Sequence, residues 1–107
     1  MSEATKTLFN FKVEVTAGQK VFSVASRAFS GLVSVSDHQK EVALFFSDSL
    51  RATLWIADPD LIIVEIPYPS WAKMVLPSLI RERVWLGLNW DDGNLAFPGE
   101  EVFKALN

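Results

Sequence analysis

His38 is the only imidazole in this 107-residue chain, and there is no cysteine. Those two facts remove much of the familiar chemistry. Without cysteine there is no disulfide, no thiolate zinc site and no cysteine nucleophile. Without a second histidine there is no His–His metal pair. His38 follows Asp37 in a polar stretch, Asp37-His38-Gln39-Lys40. A general base or a pH-sensitive contact is the functional reading, but no serine or cysteine signature flanks it. A solvated turn residue accounts for it better.

Carboxylates cluster twice, at Asp58-Pro59-Asp60 and at Asp91-Asp92-Gly93. Either pair could offer oxygens to a hard cation, or supply the acids of a small metal-dependent hydrolase. Neither has the spacing of a calcium loop, and Asp beside Pro or Gly is ordinary turn chemistry. No glycine-rich phosphate loop and no nucleophile elbow occur. We therefore expect no enzyme, no metal site and no cofactor.

The aromatic residues carry more weight. Trp55 and Trp85 fall on the more polar face of predicted strands, and Tyr68 and Trp71 bracket a proline-stiffened corner. Trp and Tyr are enriched where proteins meet, because they bury much area at small entropic cost. A second core beneath a covering helix would use Trp55 and Trp85 equally well. Stacking on single-stranded bases is a lesser reading, since it needs basic neighbours and Asp58, Asp60 and Glu82 lie close by.

Charge sharpens the choice of partner. Net charge is −3. Through Ala57 six basic residues meet five acidic ones, giving +1; from Asp58 onward four meet eight, giving −4. Such a balance disfavours phosphate binding, which draws on clustered Lys and Arg. It leaves room for an acidic inhibitor or regulator that presents Asp91, Asp92, Glu100 and Glu101 to a basic surface, including one that otherwise holds nucleic acid.

These side chains need elements to hold them. Phe9, Phe11, Val13 and Val15 alternate with polar residues, which predicts a strand over 8–15. The polar residues before it, 1–7, read as a flexible tail and not as a secretory signal. The segment 20–35 fits helix or strand. Its serines weaken a helix, so strands are expected over 20–26 and 32–36. A hairpin at 37–40 leads to a strand over 42–46. Leu50, Ala52, Leu54 and Ile56 alternate again, predicting a strand over 50–57, and the apolar run 61–66 suits a strand covered on both faces. The spacing predicts a helix over 70–81, bent near Pro77. A hairpin over 82–97 and a short helix over 99–106 complete the chain.

The sum is a single α+β domain over 1–107: a mainly antiparallel sheet, covered on one face by a central kinked helix and a short C-terminal helix. Half of the residues are hydrophobic, a high share for a domain with so much surface per volume. No apolar run is long enough for a membrane span, and the lack of cysteine fits the cytoplasm. The expectation is a non-enzymatic interaction domain that binds a larger protein or itself as a homo-oligomer. Trp55, Tyr68, Trp71 and Trp85 are the expected contacts.

Overall fold

The structure, a computed structural model, describes residues 2–28, 31–90 and 95–107. Its first element overturns the strand expected over 8–15: Glu3–Gly18 is helix α1. Ser2 caps it, its Oγ accepting the N–H of Thr5 at 3.1 Å. Residues read as a tail thus form the first turns of a helix. Ala4, Leu8, Phe11 and Val15 recur at helical spacing and pack into the core. Phe9 and Val13, which produced the look of alternation, stay exposed. Gln19 ends the helix in the left-handed region, with φ 58°, and its N–H reaches the carbonyl of Val15.

Six strands make one sheet: β1 (Lys20–Ser26), β2 (Ser34–Asp37), β3 (Lys40–Phe46), β4 (Leu61–Pro67), β5 (Trp85–Leu88) and β6 (Ala96–Phe97). The order is β4-β1-β3-β5-β6, with β2 also paired to β3. β1 lies against Phe45 and Phe46, while β2 lies against the other end of β3, Lys40 to Ala43. The pairing of β3 with β5 is parallel; the others are antiparallel. The hairpin expected at 37–40 is present. His38 and Gln39 take φ of 49° and 67°, the doubly left-handed turn whose twist matches that of paired strands.

The second correction lies between β3 and β4. Ser49–Trp55 is helix α2, not a strand. Asp48 caps it by accepting the N–H of Arg51 at 2.8 Å. Ala52 is buried on its inner side, and Leu50 and Leu54 point outward.

The bent helix expected near Pro77 begins slightly earlier, as α3 (Tyr68–Ser70), a π-helical turn over Trp71–Val75, and α4 (Leu76–Glu82). Pro77 explains the wide turn. It has no N–H to donate, and its ring crowds the carbonyl four residues back. In the wide turn the N–H of Leu76 reaches the carbonyl of Trp71, so the chain passes Pro77 without a break. Helix α5 (Gly99–Leu106) ends the chain as expected.

The architecture is α+β with a mainly antiparallel sheet. On one face α1, the bent helix and α5 enclose a core that includes Phe11, Val15, Phe45, Trp71, Leu76 and Leu86. The opposite face carries a smaller core under α2, with Val24, Val42, Leu44, Phe46, Ala52 and Trp90. Gly87 makes room for Trp90: a Cβ there would fall 2.5 Å from the indole Cε3. Among the described residues no helix is long and apolar enough to cross a membrane.

Candidate functional site

The aromatic residues singled out by the sequence go to three different places. Trp71 is fully buried. Its ring meets Phe45 edge-on at 5.4 Å and Phe11 at 5.9 Å. The expectation that Trp71 meets a partner therefore gives way to a place in the core. Tyr68 is half-buried and stacks on Trp71 at 6.5 Å. It also lines a shallow apolar groove of 330 Å³ with Ala72, Leu76, Pro77, Phe103 and Leu106. Trp55 and Trp85 are half-buried on the other face of the sheet. Trp55 leans on Phe46 at 6.4 Å, and the Lys40 ammonium sits 3.9 Å from the centre of a Trp85 ring.

The acidic candidates separate as well. Glu100 and Glu101 are exposed in the first turn of α5, where carboxylates favour the positive end of the helix. Asp91 and Asp92 lie outside the described residues. Asp58 Oδ1 accepts the N–H of Asp60, and Asp60 Oδ2 accepts the Ser26 hydroxyl at 2.5 Å. Both carboxylates thus shape the turn that feeds β4. Among the described residues no three His, Asp or Glu side chains gather to hold a metal ion. His38 sits in its turn, 3.7 Å from Asp37 and well exposed.

Four residues not anticipated as contacts form the clearest surface feature. Phe9 and Val13 stand one helical turn apart on the outer side of α1, and Leu50 and Leu54 do the same on α2. They are 56, 47, 65 and 77% exposed, respectively. Each pair makes a short apolar ridge, since residues four apart share one face of a helix. Single exposed apolar side chains are commonplace; two such ridges, on helices linked through Glu14 and Arg51, are not explained by packing within the chain.

A polar network links one helix to the other. Glu14, next to Val13, accepts the Ser47 hydroxyl at 2.5 Å and lies 3.7 Å from the Arg51 guanidinium. Arg51, next to Leu50, also lies 3.3 Å from Asp48, the cap of α2. Asn89, at the end of β5, accepts the N–H of Ser47 at 2.8 Å. Pairs this exposed contribute little stability singly. Together they span α1, α2 and the ends of β3 and β5.

The sequence signal for these ridges was present but misassigned. Ala4, Leu8, Phe11 and Val15 already account for the buried side of α1, so Phe9 and Val13 are surplus to the core. Asp48 ahead of the apolar pattern is an N-cap signal for α2. Compared with known protein families and with characterised proteins, the chain matches none.

Proposed function

We propose that this chain is a non-enzymatic protein-interaction domain that acts by having the ridges of α1 and α2 covered by another protein surface. The observation that carries the reading is the pair of ridges, Phe9 with Val13 and Leu50 with Leu54, left outside two cores that are already closed. Exposed apolar patches on small domains commonly mark association sites. The Glu14–Arg51 network supports it, because it links the two helices that carry the ridges. The absence of cysteine supports a reducing, cytoplasmic setting.

The test compares the unmodified chain with Phe9→Glu and Leu54→Glu as baits on chemically crosslinked host extract. The reading expects a stoichiometric partner on the unmodified chain, lost from both variants while their far-ultraviolet circular dichroism is unchanged. Equal capture by all three baits overturns it.

A further inference from the structure

β4 is an edge strand whose free side is open among the described residues: it pairs with β1 alone. Its hydrogen-bonding phase can be read from its two ends. The N–H of Tyr68 donates to the carbonyl of Gln19, and the N–H of Arg27 donates to the carbonyl of Asp60. In an antiparallel ladder such pairs alternate along the strands. With Val21 opposite Ile66, Ser23 opposite Val64 and Ala25 opposite Ile62, residues 62, 64 and 66 exchange hydrogen bonds with β1. Leu61, Ile63, Glu65 and Pro67 direct their backbone groups to the free edge.

Two of those positions have no open donor. The N–H of Leu61 is taken by the carbonyl of Asp58 at 3.0 Å, and Pro67 has no N–H. The remaining edge donors, Ile63 and Glu65, lie symmetrically about Val64. We infer that β4 pairs antiparallel with β4 of a second copy of this chain about a two-fold axis at Val64, joining the two sheets into one. Ile63 and Glu65 of the second copy then exchange both hydrogen bonds, and the symmetry repeats the exchange across the axis.

The side chains select this register. On one face Ile62 meets Ile66 of the second copy and Val64 meets its own copy, an apolar, β-branched ladder of the kind that stabilises strand pairs. On the other, Ile63 meets Glu65 and Leu61 meets Pro67. No like charges oppose. Moving the axis to Glu65 would set two carboxylates face to face, and moving it to Ile63 would set Asp60 against Ile66. Moving it by half a residue pairs edge-facing with inward-facing backbone groups, which cannot bond. In this register the strand complements itself, apolar against apolar on one face and without opposed like charges on the other. The partner is thus a second copy, and this self-association goes beyond the ridge-binding reading and uses a different surface.

Sedimentation equilibrium and amide hydrogen exchange test it on the unmodified chain, Ile63→Pro, Val64→Lys and Leu54→Glu. Proline at 63 removes an edge donor without touching the β1 ladder. Lysine at 64 keeps both ladders and sets two like charges on the axis. The expected result is a reversible dimer of the 12.0 kDa chain, with a Kd of about 10 µM to 1 mM as befits an interface below standard size. Both β4 variants weaken it by about tenfold or more, Leu54→Glu leaves it intact, and the Ile63 and Glu65 amides slow as concentration rises. A chain that stays monomeric with those amides unprotected overturns the pairing and leaves the ridge reading standing. Dimerisation lost in Leu54→Glu but kept in Val64→Lys also overturns it, and assigns self-association to the ridges.

Discussion

The indole of Trp71 is wholly enclosed, yet its Nε1 has no hydrogen-bond partner among the described residues. An unmet buried donor costs about 1–3 kcal/mol, so the residue's value lies in its bulk between Phe11, Phe45 and Tyr68. Trp71→Ala should lower unfolding stability by about 3–5 kcal/mol, as large-to-small core changes do. Trp71→Phe should lower it less, because it deletes the unpaired donor together with part of the volume. Urea titration of both variants measures this; a loss under about 1 kcal/mol for alanine would contradict a core position. Sequence alone did not separate this tryptophan from a surface one. Trp is apolar enough for a core and amphipathic enough for an interface, and its side is set by the turn of the helix that Pro77 widens. The hairpin at 37–40 shows the opposite case. There the turn chemistry is local, and it was legible because no distant contact decides it.

At the scale of elements, the two misread segments share one cause. Strand alternation and a helix with exposed apolar residues can look alike over eight residues. In α1 the alternating set Phe9, Phe11, Val13 and Val15 splits into two outward and two buried residues. In α2 Leu50 and Leu54 point out while Ala52 points in. The period failed as a guide because residues serving no internal packing were counted as core. Capping chemistry was the better witness. Ser2 and Asp48 each accept an N–H in the first turn of their helix. α2 spans seven residues, and so short a helix depends on its ends and its packing. Asp48→Ala should therefore cost about 1 kcal/mol of stability. It also removes the carboxylate beside Arg51, and faster hydrogen exchange across 49–55 than across α5 would report the loosened helix. Unchanged exchange would mean that Trp55 and Ala52 alone hold α2 in place.

The whole molecule spends its apolar residues in two ways. Both faces of the sheet are closed, one by three helical segments and the other largely by α2 and large side chains around it. The cover on the first face is legible in the helices expected over 70–81 and 99–106, but the apolar run 61–66, read as a strand covered on both faces, is the edge strand β4, in which no residue is buried. The second core was less visible, because its cover is a helix that reads as a strand. Once both cores are full, Leu50 and Leu54, which point out of α2, have little left to stabilise inside the chain. That yields a separation between folding and binding within α2. Replacing Leu50 and Leu54 together by Gln should leave stability within about 0.5 kcal/mol of the unmodified chain, as surface changes away from packing contacts usually do. Ala52→Glu, two residues from either, should unfold much of the population. It places a carboxylate in a fully buried site, where an unpaired charge has no compensation. Thermal melts followed by circular dichroism compare the two variants. If the leucine pair lowers the midpoint as severely as Ala52→Glu, the ridge is part of the fold and the binding surface must be sought elsewhere. If it does not, Leu50 and Leu54 are held at the surface of a stable domain for a contact outside it.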